Sequence, residues 1–593
     1  MQARRTQAAE GLPNVSRHQD LHPLLVLFVL VYIVVLLSLS TARYVELATG
    51  DWDIGTFQQA LWSTSHGHPL YEADDYQQSG ASSLFEIHPS FVVVALVPVY
   101  TLAASPITLF ALQALIVGLA AFPLYWIALD VTGSEKKSLL SAGVYLVSPL
   151  LISANLADFH LESFLPLELF TIFLLWKRGR YWWGAAVAFL SFATIEVTPF
   201  LVGALALYFL YPALGELYKS LVQGVRAGRR PPEGWIRDTV SIVRRWLVPR
   251  TTRATMILLL ASVAAFGLLR LMQDDPSVVL LTPLMPAANP PVPFVGGDLH
   301  LQPSHIVIGV SQRVGYWVLA YALVAFLPFR ALRTQILVLP WLAYTFLSSL
   351  EYTKLGLQYG FLPVVPLLVG FVYGVSDLDI SLPEFALRMH PSTIRTRPRM
   401  RGHTTSDIPA SHARWDLWAR HPGLLSWALV AMVILEVGLS PLDPLMQNHQ
   451  QGSGYQVSYL PPSQFAEVEM LASHIPSGAV VVASDDLFPL VANDVNAYSF
   501  FPTGTDALHH FPFNVSHLPT YVLISSNEVN GVPAWLLVLL GNASAYDLIG
   551  EVTGVPKGTI ELYQVASTQP LSSLYEPSAG RDASVDSTGR IGG

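Results

Sequence analysis

The stretch GDWDIGTFQQALW, residues 50–62, sets two carboxylates, Asp51 and Asp53, one residue apart and just ahead of the amides Gln58 and Gln59. A carboxylate so placed can take a proton from a hydroxyl or amide as a general base. It can equally cap a short helix by accepting its first backbone N–H groups, and the residues leave both readings of Asp53 open. Similar groups recur along the chain: His66, His68, Glu86 and His88; Asp158, His160 and Glu162 in ADFHLES; Glu196; Asp274, Asp275, Asp298, His300 and His305; and Glu351, Tyr352, Lys354, Gln358 and Tyr359 in EYTKLGLQYG. Carboxylates with imidazoles suit general-base chemistry or a divalent cation such as Mg or Mn. Asp158 and His160 offer two ligands near a helix break with no third close by, so the spacing does not specify a metal. Lys354 suits a phosphate, although a solvated loop accounts for it as well. There is no phosphate-binding GxxxxGK[ST], no GxSxG and no HExxH, so ATP-driven transport, serine hydrolysis and zinc proteolysis lose their usual signatures. With no cysteine, disulfides, thiolate metal sites and Cys nucleophiles are excluded.

These groups need elements to hold them, and composition says which kind. Of the 593 residues 52% are hydrophobic and 13% charged, against about 25% charged in soluble domains. This is the composition of a polytopic membrane protein, mainly α. Apolar runs able to cross a hydrocarbon core of about 30 Å occur near 24–41, 106–129, 138–156, 162–176, 181–195, 197–213, 254–272, 305–328, 334–350, 360–376 and 423–440, a count of eleven spans. The first reads as a signal anchor behind a basic amino terminus, residues 1–23.

Most Lys and Arg fall in the amino terminus and in 132–138, 177–180, 214–253, 329–333 and 377–422. The positive-inside rule makes these segments cytoplasmic. The first loop 42–105, the turns near 157–161 and Glu196, and the segments 273–304, 351–359 and 441–593 then lie outside. All the candidate polar groups gather on that side. The alternation closes only if 89–104, PSFVVVALVPVYTLAA, does not span, so it is expected as an interfacial or re-entrant helix. The basic loops 214–253 and 377–422 fit anionic lipid headgroups rather than nucleic acid.

From about residue 441 the composition turns water-soluble. A helix over 466–475 and strands at AVVVASDD, TYVLISS and TIELYQV predict a small extracytoplasmic α/β domain over 441–565, before a disordered tail, 566–593. The expected organisation is thus a transmembrane domain, 24–440, followed by that external domain. Sequons at Asn514 and Asn542 are on the same side.

The ordered set GDWDIGTFQQALW, HPSFVVVALVPVY, LFALQALIVGLAAFPLYWIAL, YLVSPLLISANLADFHLESF, QYGFLPVVPLL and IPSGAVVVASDDLFP resembles a prokaryotic membrane-protein family known mainly as a domain of unknown function. That family in turn resembles the C-type glycosyltransferase (GT-C) superfamily. The resemblance implies a first helix, a large external loop with an interfacial helix, many spans and an external soluble domain. It also implies sugar transfer from a polyprenyl-phosphate-linked donor to an acceptor that the sequence does not identify, at the external face of the cell membrane. On that resemblance Asp53 is the first-loop acid acting as general base, with Asp51 competing. Gln58, His88, Asp158, His160, Glu162, Lys354, Gln358 and Tyr359 are expected around the substrate, Lys354, Gln358 and Tyr359 near its phosphate. The Asp-Glu pair of protein mannosyltransferases is absent. Two other classes stay open: a transporter or flippase for a lipid-linked or polar solute, and a non-catalytic membrane scaffold.

Overall fold

The computed structural model describes residues 22–73, 83–226, 249–272, 303–347, 350–378, 431–435, 460–499, 520–525, 546–555 and 558–565. Residues 1–21, Asp274, Asp275, Asp298, His300, both sequons, most of the run 423–440 and the tail 566–593 lie outside them. The protein is mainly helical, with a small sheet near its carboxyl end.

Each of the first ten apolar runs holds helix. Among the described residues four helices are long and apolar enough to cross a membrane: Pro23–Val45, Pro106–Thr132, Thr198–Glu216 and Arg250–Leu269. The pair Glu135–Val147 and Pro149–Asn155 becomes a fifth if its 45° bend is counted as one broken span. The count of eleven is therefore not reached by length. Prolines and polar turns cut several of the remaining runs short, as at Leu165–Lys177 and Tyr181–Phe192. The loop expected from 214 begins later, because the helix that starts at Thr198 runs through Pro212 to Arg226. Residues 214–226 are rich in good helix formers, and a local change to polar composition does not end a helix.

Helix Val92–Leu102 is 11 residues long, about 16 Å at the α-helical rise and roughly half a hydrocarbon core. Its Val92 N–H donates to Ala193 O at 2.8 Å, beside the Glu196 turn. Just past its other end, Ala104 O accepts from Asn493 Nδ2 at 3.0 Å in the C-terminal domain. Both ends thus lie at the same end of the bundle, which a crossing helix could not achieve.

The basic connections meet at the opposite end. Lys137 Nζ donates to Ser376 O at 2.7 Å, Arg330 reaches Gly374 O at 2.6 Å, and Arg178 Nε pairs with Asp130 Oδ2 at 2.6 Å. Between the two ends, Tyr145, Phe170, Phe173, Phe361 and Phe371 fill the bundle core.

The C-terminal domain packs helix Pro462–Ala472 on a sheet of β1 (Val480–Ala483), β2 (Ala497–Ser499), β3 (Thr520–Ser525), β4 (Tyr546–Val555) and β5 (Gly558–Val565). The strand order is β2-β1-β3-β5-β4. β1 pairs parallel with β2 and β3, and β5 antiparallel with β3 and β4. β1, β3 and β5 fall on the three expected strands. β2 is too short to show a period of two, and β4 is an edge strand interrupted by register shifts, which erase that period.

Gly360 permits a close approach in the bundle: an added Cβ would lie 2.2 Å from Leu150 O and 3.2 Å from Ala154 Cβ. Backbone cannot yield as a side chain tip can. Gly360→Ala is expected to lower stability by about 1–3 kcal/mol, read as a reduced thermal midpoint of the detergent-solubilised protein.

Candidate functional site

The polar end of the bundle encloses a cavity of about 290 Å³. Asp53, His88, His160, Glu162, Glu196 and Gln358 line it, with Trp52, Trp341, Tyr344, Tyr352 and Tyr359 as aromatic walls. The first loop, the turn before helix Leu165–Lys177, the Glu196 turn and the segment 352–362 each supply a wall.

Asp53 does not cap a helix. Residues Asp51–Gly55 form a π-helical turn that leads into helix Thr56–Ser65, closed by Gly55 N–H on Gly50 O at 3.1 Å. This wider turn carries Asp53 out over the cavity, where its side chain keeps 40% exposure. Asp53 Oδ1 meets His160 Nε2 at 2.9 Å. Burial lowers the pKa of His160. The Asp53 carboxylate, by charge and hydrogen bond, outweighs that effect, and with Glu162 and Asp158 pushes the imidazole up to about 9. At neutral pH His160 is thus an imidazolium against Asp53 Oδ1.

The sign of the pH effect follows. His160 titrates at about 9 when folded, against an ordinary 6.5. Its contribution to stability is full below 6.5 and is lost as pH rises through about 9. The thermal midpoint of the solubilised protein is expected to fall over that window, and Asp53→Asn to flatten the fall.

Asp158 and His160 occupy a tightly held turn. Asp158 has φ +56°, a left-handed conformation that Asp tolerates better than most residues. Gln113, fully buried on helix Pro106–Leu119, donates to Asn155 O at 2.9 Å and Asp158 O at 2.6 Å, and accepts the His160 N–H at 2.9 Å. The Asp158 carboxylate faces away from the cavity lining. It accepts from Arg43 Nη2 at 3.1 Å and Gly50 N–H at 3.2 Å, tying the end of the first helix to the first loop. Burial raises its pKa, Arg43 opposes this and Asp53 adds to it.

The expected site residues therefore separate into two groups. Asp53, His88, His160, Glu162, Gln358 and Tyr359 meet at the cavity, and His88 Nδ1 lies 3.4 Å from Glu196 Oε1. Asp51, Gln58, Asp158 and Lys354 do not line it. Asp51 is buried with its N–H on Asp485 Oδ1, Gln58 Nε2 donates to Pro489 O at 3.2 Å, and Lys354 is exposed. Gln113 and Arg43, which hold the turn and the first loop in place, and Glu196, which adds a carboxylate to the cavity, were not among the residues expected around the substrate. A Gln inside an apolar helix was the available signal for Gln113, since a buried amide must find partners. Among the described residues no three His, Asp or Glu are grouped to hold a metal ion.

In overall shape the chain is similar to the apo-state crystal structure of ArnT from Cupriavidus metallidurans, at 13% identity and TM-score 0.42, covering 93% of this chain and 98% of that one. No curated protein matches the sequence. The family profile described as "Predicted membrane protein (DUF2079)" matches residues 43–287 and 297–533, from the first loop into the C-terminal domain. The chain belongs to this family of membrane proteins.

Proposed function

We propose that the cavity is the transfer site of a membrane glycosyltransferase, moving a sugar from a polyprenyl-phosphate-linked donor to a hydroxyl or amide acceptor at the external face. The observation that carries this reading is the Asp53–His160 pair, 2.9 Å apart in the wall of a cavity lined by acids and aromatics. Asp53 takes the acceptor proton as the acceptor attacks the anomeric carbon, and the polyprenyl phosphate leaves with the bonding pair. Glu162 and Glu196 line the same cavity, and in this reading their carboxylates offset positive charge developing on the sugar ring. The Trp and Tyr walls suit the apolar face of a sugar ring, with Gln358 and the acids addressing hydroxyls.

The basic connections, gathered at the end of the bundle away from this cavity, support a cytoplasmic placement for that end. The cavity and the domain 441–565 would then be external, the amino terminus cytoplasmic, and helix Val92–Leu102 in the interface. The eleven-span plan and a phosphate-side role for Lys354, Gln358 and Tyr359 belong to the same reading. The test is made in cells expressing Asp53→Asn from the native locus. Loss of one extracytoplasmic glycan with build-up of its lipid-linked donor is expected; unchanged glycans and donor pools rule the reading out.

A further inference from the structure

We propose that Asp485, in the C-terminal domain, is a positioning residue for Asp53: its carboxylate caps the π-helical turn that aims Asp53 at His160. The proposal deepens the transfer reading of the cavity and rests on it only for what Asp53 does there.

In open α/β sheets the crevice beyond the carboxyl ends of parallel strands is the usual ligand position. Here β1 lies between its parallel neighbours β2 and β3, and the loop that leaves its carboxyl end receives the chain's own segment Gly50–Gln59. The Asp51 N–H donates to Asp485 Oδ1 at 2.8 Å. Farther along, Gln58 Nε2 reaches Pro489 O at 3.2 Å, and Gln59 Nε2 reaches Asp494 O at 2.7 Å and Ala497 O at 2.9 Å. Two glycines make the approach possible. A Cβ on Gly50 would lie 2.8 and 2.9 Å from the Asp485 oxygens, and one on Gly55 2.6 Å from Phe488 Cδ1.

Asp485 sits among other acids. Burial pushes its carboxyl up to about 6, the Asp51 N–H opposes this, and Asp486, Asp53 and Asp158 add to it. An ionised carboxylate in that setting needs donors. The Asp51 N–H and the positive end of the helical segment behind it supply them. Among the described residues none of the C-terminal domain lines the cavity, so the domain reaches the site through this turn. If the cap is lost, the turn is free to unwind and Asp53 to leave His160.

The test labels the full-length solubilised protein with diethyl pyrocarbonate at pH 7.5, which modifies neutral imidazole, and reads His160 by peptide mass spectrometry. A fall of one unit in the pKa of His160 multiplies its neutral fraction by about ten. Asp53→Asn sets the upper limit of labelling. Asp485→Ala is expected to raise labelling roughly tenfold. Asp485→Asn, which keeps an oxygen for the Asp51 N–H, is expected to stay near the native rate. Asn493→Ala, which breaks the domain's contacts with Tyr100 and Ala104 instead, is expected to leave the rate unchanged. Native-rate labelling in Asp485→Ala overturns the proposal, as does Asn493→Ala raising labelling equally, since that would reflect general undocking. The labelling reports the Asp53–His160 contact whether or not sugar is transferred. Release of His160 in Asp485→Ala, with glycans intact in Asp53→Asn, would leave the positioning role standing and remove the transfer reading.

Discussion

Asp53→Asn is expected to lower the proposed sugar transfer by about 10²–10⁴-fold, the range a positioned general base contributes. The amide keeps the size of the carboxylate and can still accept from His160, so the turn and the cavity should survive. What it loses is the ability to take the acceptor proton and the charge that holds His160 as an imidazolium. Membrane vesicles supplied with the lipid-linked donor give the comparison, provided donor binding is measured alongside. A loss in turnover with donor binding retained matches the role. Turnover within about threefold of the native protein is too small a loss for a general base and would return Asp53 to a structural part.

Arg43→Ala is expected to cost about 3–5 kcal/mol of stability, the usual consequence of leaving one member of a buried ion pair alone. The Arg43 and Asp158 side chains are only 11% and 5% exposed, and their contact is 3.1 Å. Arg43 also donates to Ala48 O at 2.7 Å, so the truncation frees the first loop as well as the carboxylate. Asp158→Asn in the Arg43→Ala background should recover part of the loss, because the uncompensated charge is gone. Thermal or denaturant unfolding of the four proteins gives the coupling. Additive losses within about 0.5 kcal/mol would mean the pair is not an energetic unit. Because Asp158 belongs to the Gln113-clamped turn that presents His160, the single variant should also disturb the cavity.

Much of the architecture was legible because it depends on short-range, additive properties. Apolar runs located helices, since a helix satisfies its own backbone and needs only a continuous apolar stretch. The distribution of Lys and Arg also singled out 89–104 as a segment expected not to cross; in the structure helix Val92–Leu102 is short, and its two ends lie on one side of the bundle. Helix lengths were less legible: the segment after 214 looks polar yet stays helical to Arg226. The strands β2 and β4 were missed because their packing partners, rather than an internal alternation, define them.

The site divided in the same way. Residue types, narrowed by the family resemblance, marked Asp53, His88, His160, Glu162, Gln358 and Tyr359, and all six line one cavity. They did not distinguish those residues from Asp51, Gln58 and Asp158, which belong to the same motifs and turn toward Asp485, Pro489 and Arg43. Nor did they decide between cap and base for Asp53. The sequence by itself determined a helical membrane protein with its candidate acids, imidazoles and amides expected on one side. Only the tertiary structure decided which acid faces the cavity. Asp53 and His160 are 107 residues apart, and Asp51 and Asp485 are 434 apart. Pairings over such separations are set by how the elements dock, and no local pattern in the chain encodes that.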